Sequence, residues 1–189
     1  MKVLVVGGCG YIGAWLVPYL LTQGHVVTVY DANWFGDGYL PQDNEHLTII
    51  QGDVRNTELF AGSCHEKEAI IYLAGMTNND ECNKHPLLAE KINQAVFPTI
   101  INVAKRAQVR RFIYASSATV YGSTDQPATE SSKLAPTTAY AQAKAYCENW
   151  LLGHPQQDFS CAIVRSASVC GYSPRMRFDL TVNQMTHDA

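Results

Sequence analysis

The stretch Val3-Leu-Val-Val-Gly7-Gly-Cys-Gly10-Tyr-Ile-Gly13 decides how the rest of this chain is read. Four apolar residues, three of them β-branched, give the pattern of a short buried strand. A glycine turn follows at once, and the uncharged segment from Tyr11 to Thr22 then reads as a helix. In that order the three elements make a cradle for phosphate. Gly7 permits the tight turn, Gly10 lets backbone come close to a pyrophosphate, and Gly13 lets the helix pack against the strand, with Tyr11 and Ile12 between them. An ordinary strand-to-helix turn would also accommodate a glycine triplet. Asp31 adds weight to the first reading, because it closes the next apolar run, Val26 to Tyr30, 18 residues past Gly13. A carboxylate there accepts hydrogen bonds from the hydroxyls of an adenosine ribose and repels a 2′-phosphate, so NAD is expected rather than NADP. The alternative for Asp31 is a solvated turn aspartate.

Further β-branched runs occur at Leu47 to Ile50, Ala69 to Leu73, Arg111 to Ala115 and Ser160 to Val164. Between the strands, Leu87 to Ala107 and Thr138 to Leu152 are long enough to be crossover helices. Strands alternating with helices predict an α/β fold: a doubly wound parallel sheet (Rossmann fold) in three α/β/α layers. Pro18 sits deep in the first helix and predicts a kink. The stretches Ala32 to Glu45 and Gly122 to Pro136, rich in Gly, Pro, Asp or Ser, predict long loops of the functional or mobile kind.

Composition narrows the function. A chain of 189 residues, 47% apolar and 16% charged, suits one core. A net charge of −3 gives no field for nucleic acid. The uncharged run from Val3 to Leu21 contains four glycines and Pro18 and lacks an A-x-A pattern, which argues against a signal peptide or membrane anchor. The six cysteines show no metal-like pairing with the six histidines. Each cysteine is expected to be a small buried hydrophobe, as a reduced thiol in the cytoplasm.

Proton-transfer chemistry enters with Tyr140-Ala-Gln-Ala-Lys144. Residues four apart share a helix face, so the lysine ammonium can govern the proton balance of the phenol and reach a bound ribose. A phenol of pKa about 10 is a poor base at neutral pH, and cations beside it, here Lys144 and an oxidised nicotinamide, favour the phenolate. Ser117, after a central strand, can hydrogen-bond a reacting oxygen, although a Ser-Ser pair there is commonly a plain turn. Asp53, after the third strand, can meet an adenine amino group or serve as a helix N-cap. Arg175 or Arg177 can meet a substrate diphosphate or belong to a solvated loop.

Taken in order, Gly7-Gly-Cys-Gly10-Tyr-Ile-Gly13, Asp31, Asp53-Val54, Leu73-Ala-Gly75, Asn93, Ser116-Ser-Ala-Thr-Val-Tyr-Gly122, Tyr140-x-x-x-Lys144 and Arg165 resemble the extended short-chain dehydrogenases/reductases, specifically the NAD-dependent epimerase/dehydratase family. The resemblance implies catalysis by Ser117, Tyr140 and Lys144. It implies a cofactor channel lined by Leu73, Ala74 and Gly75, with Asn33 and Val54 also at the cofactor and Asn93 steadying the central helix. Dehydratases of the family carry Asp-Glu where this chain has Ala118-Thr119, which leaves an epimerase, on the pattern of UDP-glucose 4-epimerase, or a ketoreductase, with Thr119 at the sugar. The implied substrate is a nucleotide sugar and the implied assembly a homodimer through the helices near 87–107 and 138–152. Residues 1–165 are expected to form the NAD-binding domain with the catalytic residues. Residues 166–189 are expected to begin a substrate-binding portion, most of which is absent here, so that the chain in this form could bind NAD without turnover.

Overall fold

The computed structural model describes every residue except Gln156. Each of the six apolar runs is a strand: β1 (Lys2–Val6), β2 (Val26–Asp31), β3 (Leu47–Gln51), β4 (Ala69–Tyr72), β5 (Arg111–Ser117) and β6 (Ser160–Ser166). They form one parallel sheet in the order β3-β2-β1-β4-β5-β6. The chain builds outward from β1 to β3 and then returns to the other side of β1. Connections on the two sides therefore diverge beyond the carboxyl ends of β1 and β4, which opens a crevice there. The split begins just past the last paired residues, where the Gly7 amide donates to Tyr30 O and the Leu73 amide to Val6 O, each at 2.8 Å.

Side chains alternate across the sheet, and each face collects its own cover. Val3, Val5, Val27 and Val29 face α1 (Gly13–Thr22) through Val17. On the opposite face Leu4, Val6, Ile70, Tyr72, Phe112 and Tyr114 meet α2 (Thr57–Ser63), α5 (Phe97–Arg106) and α6 (Ala139–Gly153) through Phe60, Phe97, Ile100, Ile101, Cys147 and Leu151. Helix α1 continues through Pro18. A proline in a helix interior costs about 3 kcal/mol. Full burial of one side chain such as Val17 returns about 1.5–3 kcal/mol, so packing outweighs the backbone loss with Leu20 and Leu21 against the same cluster.

The central helix is not the single span expected over 87–107. It consists of α4 (Pro86–Glu90), a π turn (Lys91–Ala95) and α5. Pro98 has no amide to give to the carbonyl four residues back, and the Val96 amide donates to Lys91 O, five residues back. Short helices α3 (Asn79–Lys84) and α7 (Thr181–His187) lacked a periodic signal. The cysteine expectation also needs correction: Cys9, Cys64, Cys82 and Cys147 are buried, but Cys161 and Cys170 are exposed, because β6 is the edge strand of the sheet and Cys170 lies in the loop after it.

Glu148, which the sequence reading passed over, is fully buried on α6 and accepts from Arg165 Nε (3.0 Å) and Nη2 (2.7 Å) and from the Ser116 hydroxyl. Arg165 Nη1 donates in turn to the Tyr121 hydroxyl (2.8 Å) and to Glu130 O (3.1 Å). This network ties α6, β5, β6 and the 122–136 loop together. Removing one partner of such a pair leaves the other charge uncompensated, so Glu148→Ala is expected to lose about 3 kcal/mol or more in denaturant unfolding. Glu148→Leu combined with Arg165→Met should recover part of that loss. A single variant within about 0.5 kcal/mol of wild type, the range of ordinary surface changes, would show that the network does not hold these elements.

Candidate functional site

The glycine turn is shaped by how closely it meets its neighbours. Gly7 has φ +84°, and a Cβ there would come within 2.6 Å of the Ala74 amide nitrogen. A Cβ on Gly13 would collide with the carbonyl of Gly8. Gly10 differs: the nearest atom to a Cβ would be Gly7 O at 3.4 Å, an ordinary contact, so the fold itself does not require glycine at this position. Gly10 lines the crevice, and its bare backbone leaves room there for a ligand to come close. Among the described residues no side chain caps the start of α1, and Tyr11, Ile12 and Gly13 there line the crevice.

Asp31 ends β2 beside this turn. Its carboxylate accepts from the Cys9 amide (2.9 Å) and the Asn33 amide (2.8 Å), so its charge is fixed toward the crevice it lines. Burial and the charge of Asp31 push the Cys9 thiol up to about 12. Asn33 has φ +59°, and its side-chain oxygen is buried without a partner among the described residues, though Asn33 does not line the crevice. Asp53 is no N-cap: Asn56 caps α2, while Asp53 pairs bidentately with Arg55 (2.9 and 2.6 Å), which holds its carboxyl below the usual range.

The crevice is a cleft of about 730 Å³. At one end it is lined by Gly7, Tyr11, Ile12, Gly13, Asp31, Asp53 and Val54, along its floor by Leu73, Ala74 and Gly75, and at the other end by Ser117, Tyr140 and Lys144. Arg175 and Arg177 line it as well. The sequence did not point to Trp34, Phe35 and Thr77, which also line it. Asn93 and Thr119 lie behind this lining. Asn93, turned inward by the π turn, accepts from the Met76 amide (2.8 Å) and donates to Met76 O (2.9 Å), which holds the chain leaving β4. Thr119 donates from its hydroxyl to Ser117 Oγ at 2.9 Å and from its amide at 3.2 Å, so it orients the serine.

Thr138 caps α6 by accepting from the Ala141 amide, and that start places Tyr140 and Lys144 one turn apart on the face toward β5. Lys144 is 4% exposed, donates to Ala115 O at 2.6 Å, and lies 4.8 Å from the Tyr114 ring centre and 5.5 Å from that of Tyr140. Burial brings its pKa down to about 8. Burial also raises the Tyr140 phenol, against the expectation that Lys144 lowers it; the cation opposing that rise is Arg177. In the protein alone desolvation outweighs the charges around the phenol. The buried Arg–Glu network beyond Lys144 fixes the ends of β5 and β6 that carry Ser117 and Ser166 into the cleft.

The chain that carries the glycine turn, Asp31 and the Ser117–Tyr140–Lys144 set in one cleft is similar in sequence and fold to known proteins. The UDP-glucose 4-epimerase of Klebsiella pneumoniae is 37% identical over 134 residues, covering 67% of this chain and 95% of that protein. That of Yersinia enterocolitica is 30% identical over 193 residues, covering 92% of this chain and 55% of that protein. Apart from the Klebsiella protein, the chain spans about half the length of the curated relatives it matches, for example 43% of a UDP-glucose 4-epimerase from Oryza sativa and 55% of the Yersinia protein. Among solved structures, a UDP-glucose-4-epimerase from Stenotrophomonas maltophila with bound NAD and formylated UDP-arabinopyranose superimposes with a TM-score of 0.79 at 29% identity, over 87% of this chain and 52% of that one. A UDP-N-acetylglucosamine 4-epimerase from Methanobrevibacter ruminantium M1 gives 0.80 at 27% identity, over 87 and 54%. With a family match that runs from residue 3 to residue 188, the chain belongs to the NAD dependent epimerase/dehydratase family.

Proposed function

We propose that this chain is the cofactor-binding and catalytic part of an NAD-dependent nucleotide-sugar epimerase acting on a UDP-sugar. The observation that carries the reading is that Ser117, Tyr140 and Lys144 open on the same cleft as the glycine turn and Asp31. The names of the relatives support the sugar nucleotide. Ala118-Thr119, in place of an acid–base pair, supports inversion over elimination of water.

The glycine turn and the start of α1 would hold the pyrophosphate of NAD, Asp31 the adenosine ribose, and Lys144 the nicotinamide ribose. What NAD supplies when bound is an acceptor and donor of hydride at the sugar carbon. Tyr140 takes the proton from the hydroxyl on that carbon and later returns it, while Ser117, oriented by Thr119, donates a hydrogen bond to the same oxygen. Arg177, which lines the same cleft, favours the Tyr140 phenolate.

Residues 1–165 form the cofactor-binding and catalytic part in this reading, and 166–189 begin the substrate-binding portion. Leu87, Tyr146 and Leu152, exposed on α4 and α6, support a homodimer through those helices. A cytoplasmic setting would keep the exposed Cys161 and Cys170 as thiols.

The test is to supply NAD and UDP-glucose and to follow UDP-galactose together with NADH. Epimerisation gives product with no net NADH; stoichiometric NADH would make the protein a dehydrogenase or ketoreductase. Tyr140→Phe is expected to lower turnover by about 100-fold or more, the usual range for a general base, and a change of only a few-fold would remove Tyr140 from that role. Lys144→Met separates activity from stability. Because folding lowers the lysine pKa from 10.5 to about 8, the folded state binds the proton more weakly, and stability rises as pH climbs from about 8 toward 10.5. In cofactor-free protein the variant should lose that rise and be more stable at pH 7, by roughly 1–3 kcal/mol, while losing turnover. Unfolding curves at pH 7 and pH 10 would check it.

A further inference from the structure

Arg175 and Arg177 both line the cleft, but their surroundings divide their roles. All three guanidinium nitrogens of Arg177 are engaged: it pairs with Asp179 through Nε (3.1 Å) and Nη2 (2.6 Å), and Nη1 donates to the Thr77 hydroxyl at 2.8 Å. It reaches the loop after β4, and its charge acts on Tyr140. Arg175 makes a single guanidinium hydrogen bond among the described residues, from Nη1 to Met176 O at 3.3 Å. Its guanidinium carbon lies 3.7 Å from the centre of the Phe35 ring. Phe35 belongs to the loop that follows Asp31, so Arg175 stands toward the adenosine side of the cleft and Arg177 toward the catalytic side.

The backbone of Arg175 is tied to the glycine turn. Ser173 Oγ donates to Tyr11 O at 2.8 Å and accepts from the Arg175 amide at 3.3 Å. The Tyr11 hydroxyl donates to Gly171 O at 2.6 Å, and Asn183 reaches both the Tyr11 hydroxyl (3.1 Å) and the Gly171 amide (2.8 Å). The strap 171–183 is thereby pinned to Tyr11, two residues before α1, and the Arg175 backbone is joined to that anchor through Ser173.

We propose that Arg175 binds the pyrophosphate of the dinucleotide cofactor, rather than the diphosphate of the sugar substrate, from a position fixed by the Phe35 ring and the Ser173–Tyr11 bond. The inference rests on the reading of this cleft as an NAD site. A planar fork with free donors suits phosphate oxygens, and stacking on an aromatic ring sets its orientation before the ligand arrives. Partial burial and the charge of Arg177 hold Arg175 below its usual range, so a neighbouring anion would relieve it.

The test is calorimetric titration of the cofactor-free chain with NAD and with UDP, alongside adenosine followed by ligand-observed NMR, for wild type, Arg175→Gln and Arg175→Lys. Loss of a charge-assisted phosphate contact should weaken NAD binding by about 10- to 100-fold in Arg175→Gln and by less in Arg175→Lys, which keeps the charge and the stem. Adenosine and UDP affinities should stay within about twofold of wild type, because neither probe reaches the contact removed. NAD affinity unchanged in Arg175→Gln would overturn the proposal, as would an equal loss for adenosine, which would make the arginine a support for the Phe35 loop, or a loss for UDP alone, which would make it a substrate ligand. Should Arg175→Gln fail to fold, Arg175→Lys decides by the same comparison, with a weaker loss confined to NAD expected. A wild-type chain that does not bind NAD would overturn the cofactor reading itself and this inference with it.

Discussion

The approach of backbone to backbone around Gly7 and Gly13 is the constraint on which the cleft depends. Gly7 meets Ala74 after β4, and Gly13 meets Gly8 at the start of α1, with no space for a Cβ at either contact. These two contacts set how far the carboxyl ends of β1 and β4 lie apart and where the first amides of α1 point. A side chain at either place would move the helix or the strand end, and with it the floor formed by Leu73, Ala74 and Gly75. Gly10 stands between them without such a requirement, so the same short run contains two glycines that serve the fold and one that leaves room at the cleft.

The sheet was legible because its evidence is local. A buried parallel strand shows itself as a short β-branched run, and six runs separated by helix-length segments specify alternation directly. Asp31, Tyr140 and Lys144, which the structure brings to one cleft, stood out as candidates for a similar reason, since each is set by its distance from a nearby turn or by one helical repeat. What escaped depends on pairs far apart in sequence. Glu148 meets Ser116 across 32 residues and Arg165 across 17, and Ser173 meets Tyr11 across 162. Nothing in the segments around them signals such partners. Asp53 shows a different limit: a carboxylate shortly before a helix can be a cap or an ion-pair partner, and the competition between Asn56 and Arg55 decided it.

The charges in the cleft follow burial before they follow proximity. Lys144 and Tyr140 lie close, yet each is displaced toward its neutral form, because both have left water and the lysine ammonium is engaged with Ala115 O. The phenol of such a pair is held back from ionisation in the protein alone, and additional charge in the cleft has a large effect on it. Arg177 is already placed to act in this way, and Asp179, held at about 2 by that arginine, keeps the guanidinium in position across the pH range in which proteins work.

The π turn at Lys91–Ala95 constrains chain length as well as residue type. A helix advances about 100° per residue, so a turn wound through one extra residue rotates everything on its far side by that amount relative to a regular helix. Asn93 sits inside this underwound turn, and its amide holds Met76 in both directions. Excising one residue from the segment would leave a smoother helix with the asparagine carried off the loop that follows β4. The segment should therefore vary freely in its exposed side chains among descendants of this sequence while keeping a fixed number of residues between Pro86 and Pro98.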